Sequence, residues 1–339
     1  MAVKSRVTMA DIARQAGVSL STVSRALNGS PAIPEVTRRR VQAIATSLNY
    51  RLDERARNFR LRRSGTVAVL FPYQGISRRQ LSDPFYLEIA GAIMDEFDQV
   101  GSDLLIARVP IDREDWPMRY VVNKRVDGLI LIDRAVEDAN LKRLEALGAR
   151  FVVWGAQIPG QGYVSVGGDS RGGAASAVTH LIDRGRRRIG FIGGFRHMVE
   201  TEARRQGYVQ ALEQAGLSID ENAMIFTDFS SAGGRDSIQA LLERCPDLDA
   251  VFVCSDHMAI AAMDVIKASG RRIPDDVAVV GYDDIPGASV SSPPLTTVHQ
   301  PIQRGGQLLA RKLLALIRGE PVEAETLPVE LIVRASTIG

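Results

Sequence analysis

Cysteine and histidine are scarce in this chain, and the scarcity excludes several kinds of chemistry. Cys245 and Cys254 are the two cysteines, and His180, His197, His257 and His299 the four histidines. Nothing among them has metal-ligand spacing, and two thiols make no disulfide framework, so buried, reduced cysteines are expected. No serine sits in a nucleophile elbow. The Gly-rich stretches GFIGGF and GGDSRGG fit neither a Walker loop nor a dinucleotide fingerprint, and are expected to serve turns. The sequence thus lacks the common enzyme signatures, and no cofactor, metal or catalytic residue is expected. Apolar runs of membrane-spanning length are also missing, and MAVKSRVTMADIARQAG has no signal-peptide core. A cytoplasmic location with no membrane partner is expected.

Acidic residues are scarce at the start. Residues 1–64 hold 13 Lys/Arg against 4 Asp/Glu, whereas the rest of the chain holds 29 against 36. A basic head on an acidic body points to an anionic partner for the head alone. The 339 residues, 45% hydrophobic and 24% charged, exceed one ordinary core and exclude wholesale disorder.

Three helices are expected in the first fifty residues. The first follows Thr8, a suitable N-cap, buries Ile12, Ala13 and Ala16, and ends at Gly17. The second is the short AGVSLSTVSRALNGS segment. The third runs from Pro34 in its first turn to Leu48, with Val36, Val41, Ile44, Ala45 and Leu48 inward. RLDERARNFRLRRS (51–64) then reads as an Arg-dense linker. Beyond it, TVAVLF, DLLIAR, GLILI, FVVW, RIGFIG, AVFVC and VAVVGYD are strand candidates. Helices are expected between them at 86–100, 138–147, 171–184, 204–215, 231–242 and 257–268. Such alternation predicts parallel sheets covered on both faces, split into two doubly wound lobes. Ligands of such folds lie beyond the carboxyl ends of strands.

The hydroxyls of the second helix suit a helix-turn-helix. Short Ser/Thr side chains at a helix start can donate to phosphate oxygens, Leu20 can meet a thymine methyl, and Arg25 can fork onto a guanine. The alternative is a solvated helix with accidental Ser/Thr clustering.

The run VTMADIARQAGVSLSTVSRALNG…TRRRVQAIATSLNY resembles the DNA-binding head of the lactose-repressor (LacI) family. VDGLIL, GGDSRGG, RRIGFIGG, RRQGYVQAL, VCSDHMAIAAM, VAVVGYDD, PPLTTVHQP and LPVELIVR fall in the family's order. The resemblance implies a ligand-responsive transcriptional repressor, a homodimer on a pseudo-palindromic operator. It implies a helix-turn-helix domain at 1–50 and a hinge helix at 51–64. The core at 65–339 would form a first lobe (about 65–166 and 300–328) and a second (about 167–299 and 329–339). Leu20, Ser21 and Arg25 match base-reading positions, and Thr8, Ser19, Thr22 and Asn28 match phosphate-holding ones. Pro34 departs from the hydroxyl cap frequent in relatives. Phe59 stands where a leucine wedge enters the minor groove, beside Arg57; its alternative is packing onto the core.

Effector contacts carried over by position are Asp83, Phe85, Tyr86, Arg134, Arg204, Phe229, Ser255, Asp256 and Asp283. Carboxylates, arginine and rings together suit a polyhydroxylated ligand such as a sugar, and the resemblance implies that it acts as an inducer. Alternatives stay open: Asp256 and Asp283 as helix caps, Phe85, Tyr86 and Phe229 as core, Arg134 as a surface ion pair. His299, at a lobe crossover, is expected to make a structural hydrogen bond. A nucleobase or nucleoside corepressor is the second effector class. A periplasmic-type sugar-binding protein is the rival for the body alone, disfavoured by the basic head and missing signal. No terminal heptads follow VRASTIG, so no tail-mediated tetramer is expected.

Overall fold

The computed structural model describes residues 7–27, 29–48, 50, 64–73, 79–111, 113, 115–135, 138–158 and 160–338. The chain divides into two compact units, Met1–Ser64 and Gly65–Gly339.

Helices α1 (Met9–Ala16), α2 (Leu20–Leu27) and α3 (Glu35–Ser47) form the first unit. Each is too short to be stable alone, so packing holds them. Ile12, Ala16, Val23, Ala26, Ile33, Val41 and Ala45 make the core, and a fully buried Val or Ile contributes roughly 1.5–3 kcal/mol. Gly17 ends α1 at φ 64°, a left-handed conformation open to glycine at no steric cost, and its N–H reaches the Ala13 carbonyl.

Two expectations for α3 fail. Pro34 is the N-cap, one residue outside the helix, and makes no side-chain cap bond. Val36 is 81% exposed, because it lies about 140° around the helix from the buried Val41. Neighbouring Glu35 instead draws Arg39 to 2.8 Å and also pairs with Arg38.

The second unit holds two six-stranded sheets. One orders as β11-β5-β4-β3-β1-β2, the other as β12-β10-β9-β8-β6-β7. Strands β1 (Thr66–Tyr73), β2 (Asp103–Pro110), β3 (Gly128–Ile132), β4 (Phe151–Trp154), β5 (Val164–Gly168) and β11 (Glu325–Leu327) form the first. The second comprises β6 (Ile189–Gly193), β7 (Met224–Phe226), β8 (Ala250–Val253), β9 (Ala278–Asp283), β10 (Thr296–His299) and β12 (Glu330–Ile332). All pairings are parallel except β10 with β12. The parallel strands need crossovers, supplied by α4 (Pro84–Asp98), α5 (Ala139–Ala146), α6 (Ser170–Asp183), α7 (Val199–Gln214), α8 (Ser231–Arg244), α9 (Asp256–Ala268), the short α10 (Pro286–Val290) and α11 (Ile302–Arg318). The chain changes sheet after β5, after β10 and again after β11.

Helix α7 begins at Val199, five residues before the expected start, and α11 is absent from the sequence-based set. Two glycines open α11. A Cβ on Gly305 would lie 2.1 Å from the Trp154 ring, and one on Gly306 2.7 Å from Ala92 of α4. Glycine here permits close packing at the expense of helix propensity.

Candidate functional site

On the first unit, α2 presents a polar face. Ser19 caps it, its Oγ accepting from the Thr22 N–H at 3.1 Å and lying 2.8 Å from both the Ser21 and Thr22 hydroxyls. Ser21 and Arg25, four residues apart, share an exposed face with Leu20, itself 54% exposed, at its edge. Val23 and Ala26, on the other side, are fully buried. Thr8 is already engaged: its amide and hydroxyl donate to the Asp11 carboxylate at 2.9 and 2.8 Å. Those bonds hold Asp11 below its usual carboxylate range. Asn28, Arg57 and Phe59 lie outside the described residues.

In the second unit, a cleft lies between the two sheets where their strands end. Its walls include Phe71, Tyr73 and Asp133 from the first sheet's side and Phe195, Asp228 and Phe229 from the second's. Ile111, Asp133, Phe195 and Asp228, which follow β2, β3, β6 and β7, line it together with the end of β1, as expected for open parallel sheets.

Four side chains on the first side interlock. Asp83 caps α4 through Phe85 N–H at 3.0 Å and receives Arg79 Nε at 2.7 Å. Asp133, just past β3, accepts from Arg79 Nη1 at 3.1 Å and from the Tyr86 hydroxyl at 2.9 Å. The Arg79 guanidinium lies 3.9 Å from the Tyr86 ring centroid and 4.8 Å from that of Phe229. Burial pushes the Tyr86 hydroxyl up, keeping it a proton donor to Asp133.

Arg204, on α7, and Asp283 line neither this space nor the opening beside Asp83 and His257 but form a buried cluster within electrostatic reach of Asp83 and Arg79. The Arg204 guanidinium stacks 3.7 Å from the Tyr282 ring centroid, donates to the Cys254 carbonyl at 2.6 Å and stands 3.9 Å from Asp283. Asp283 also accepts from Gln300 Nε2 at 2.6 Å. Burial raises the Asp283 pKa from 3.8 to about 7, with Arg204 opposing the rise. Arg204 Nε is buried without a hydrogen-bond partner, so this cluster keeps unspent donor capacity.

Backbone strain concentrates here. Among the described residues, five non-glycines have positive φ, and four of them are Asp133, Phe229, Asp283 and Asp284. Such conformations persist where surrounding structure enforces them, which is common at ligand sites. The third glycine of GFIGGF has a related role rather than the turn expected for it. A Cβ on Gly194 would lie 1.7 Å from the Phe229 ring, so that ring reaches the cleft only across a glycine.

Several carried-over residues sit elsewhere. Phe85 packs into the core, 6.0 Å from Trp154 between ring centroids, because the first turn of α4 turns it away from Asp133. Arg134 is neither a surface ion pair nor a lining residue of the cavities described. Its guanidinium donates to Gln161 Oε1 at 3.1 Å, to the Tyr163 hydroxyl and to the Ala156 carbonyl. Ser255 caps α9 through the Met258 N–H at 3.3 Å. Asp256 is fully buried and spends its oxygens on the Thr297 hydroxyl at 2.6 Å and the Ile285 N–H at 3.0 Å, tying α9 to its neighbours. His299 lies 3.1 Å from Asp284. The cleft residues missing from the sequence-based set are chiefly Arg79, Asp133, Phe195, His197 and Asp228. Asp133 adjoins the selected Arg134, and Arg79 stands four residues before Asp83; both spacings were available signals.

Comparison with known proteins gives two family matches: bacterial regulatory proteins of the lacI family at residues 8–53, and a periplasmic binding protein-like domain at 178–337. The transcriptional regulator CelR of Thermobifida fusca is 37% identical over 339 residues, covering 98% of this chain and 99% of CelR. This chain belongs to the LacI family. It is therefore a helix-turn-helix transcriptional regulator and not an enzyme. The repressor CytR of Escherichia coli K12 is 32% identical, covering 98% of this chain and 97% of CytR. Among solved structures, a CelR–cellobiose complex is similar at TM-score 0.74 and 35% identity, covering 98% and 100% of the two chains. A lac repressor dimer bound to operator and an anti-inducer is similar at TM-score 0.85 and 28% identity, covering 98% and 99%. Among the described residues, no helix of this LacI-family regulator is long and apolar enough to cross a membrane.

Proposed function

We propose that this regulator is a cytoplasmic homodimeric repressor whose hold on a pseudo-palindromic operator is released by a neutral sugar bound in the cleft. Leu20, Ser21 and Arg25 read bases, Thr8, Ser19, Thr22 and Asn28 hold phosphates, and Phe59 with Arg57 works at the minor groove. The supporting observation for the effector is the convergence of carboxylates and aromatic faces from both sheets. Asp83, Asp133 and Asp283 accept from hydroxyls, Arg204 donates, and Tyr86 and Phe229 cover apolar ring faces. Phe85, Arg134, Ser255 and Asp256 support those groups from behind rather than touching ligand. The lobes, 65–166 with 300–328 and 167–299 with 329–339, close on the sugar. The ligand shifts DNA affinity only as far as it prefers one lobe arrangement over the other. The CelR–cellobiose and lac repressor–operator structures are the parallels for ligand and DNA.

The test is a thermal-shift panel of neutral mono- and disaccharides beside nucleobases and nucleosides, followed by operator-binding titrations with each hit. A stabilising sugar that weakens operator binding supports the reading. Stabilisation by a nucleobase or nucleoside alone, or by neither class, overturns it.

A further inference from the structure

Arg79 separates two spaces in the cleft that differ sharply. Toward Phe71, Tyr86, Phe195 and Phe229, about 20 Å³ is left open, little more than one water needs. Toward Ser82, Asp83, Ser231 and His257, the opening is about 390 Å³, within the range of small-molecule sites. The aromatic space is small because a guanidinium fills it. That group lies 3.9 and 4.8 Å from the Tyr86 and Phe229 ring centroids, with Phe85 at 5.7 Å. It bonds both Asp83 and Asp133, and its side chain is only 10% exposed. Flat faces against rings and donors against carboxylates are also what a hydroxylated sugar ring would offer.

We infer that Arg79 is a tethered stand-in for the effector, seated between Tyr86 and Phe229, and that the ligand binds by displacing its guanidinium. The inference rests on the sugar reading for its ligand, but not for the cage itself. Burial works against the Arg79 charge, yet the Asp83 and Asp133 carboxylates outweigh it and hold the pKa above its ordinary value, so the stand-in stays cationic. Two consequences follow. Apparent affinity is reduced by the fraction of molecules in which Arg79 has swung out, so this residue sets the ligand threshold. Once it leaves, Asp83 and Asp133 face the ligand unneutralised, so phosphorylated or carboxylated sugars are rejected in favour of neutral ones.

The test uses the full chain as wild type, Arg79→Ala and Arg79→Gln, the last keeping the start of the side-chain stem but too short to fill the place of the guanidinium, should the alanine variant fail to fold. Methylguanidinium chloride at low millimolar concentration, against sodium chloride of equal ionic strength, should raise the melting temperature of the variants and leave wild type unmoved. Any neutral sugar that binds wild type should bind Arg79→Ala about tenfold tighter or more, the gain expected if the competent fraction is a tenth or less. Its phosphorylated counterpart should bind neither. Equal methylguanidinium responses in all three proteins overturn the inference. So does weaker sugar binding by Arg79→Ala, or a sugar phosphate binding wild type better than its parent. If no sugar binds any of them, the sugar reading fails, and the methylguanidinium comparison alone decides whether the cage is real.

Discussion

The polar face of α2 and the cleft between the sheets use similar chemistry, hydroxyls and arginine with few ring nitrogens, at opposite ends of the burial scale. Ser21 and Arg25 are exposed, whereas Arg204, Asp83 and Asp283 are 5% exposed or less. An exposed arginine costs the fold nothing and waits for a large polyanion, whose attraction is long-ranged and salt-dependent. A buried arginine must be answered within the protein itself, because an unpaired buried charge is costly. The cleft therefore carries internal partners for its charges, and its ligand must compete with them. The face on α2 carries almost none.

Substitutions can break that contrast. The largest stability effect is expected in the cleft. Asp133→Ala removes one of two carboxylates from Arg79 and the acceptor of the Tyr86 hydroxyl, and should destabilise the second unit by about 2–3 kcal/mol in denaturant unfolding. A change within error would show that the Arg79 cluster is not held by its charges. Arg25→Ala should leave stability unchanged but cost roughly 1–3 kcal/mol of operator binding and relax base preference at its position. Competition against scrambled duplex reads both; equal losses on operator and random DNA would remove Arg25 from base reading.

The cleft should also respond to pH in a way the α2 face does not. Asp283 is raised from 3.8 to about 7, so its protonated form favours the folded state. That contribution is complete below about pH 4 and lost as pH rises through about 7. Asp283→Asn should flatten this part of the stability profile, gaining on wild type between those limits, and parallel profiles would contradict the assignment. The smallest effect is expected for Ser19→Ala, which removes the α2 cap and should cost the first unit about 1 kcal/mol, read by thermal unfolding of the wild-type and substituted chains.

The sequence was most legible where physics left few choices. Strands buried on both faces, such as β3, β4 and β8, read as unbroken apolar runs. Strands β7, β11 and β12 span three residues each, too few to show a period, and β5 ends in two glycines. Helix α11 had a clear amphipathic repeat after its paired glycines, and those glycines obscure its start. Asp83, Tyr86, Arg204, Phe229 and Asp283 come from the family resemblance, not from any period in the residues. Asp133 was passed over for Arg134, which the family resemblance put forward but whose Nη atoms bond to Ala156, Gln161 and Tyr163 while its Nε is buried without a partner. Arg79 lies outside any regular element, so no periodicity pointed to it; only its spacing from Asp83 did.

The central claim is that occupancy of the cleft controls the DNA affinity of the α2 face. Its most direct test is a titration of the full-length protein against a duplex selected from a random pool, with and without the sugar that gives the largest thermal shift. The account predicts a strong preference for one pseudo-palindromic sequence over scrambled competitor, steeply weakened by salt, and a large loss of that preference when the sugar is added. An operator affinity that the bound sugar leaves unchanged, or no preference for any duplex in either condition, would contradict it.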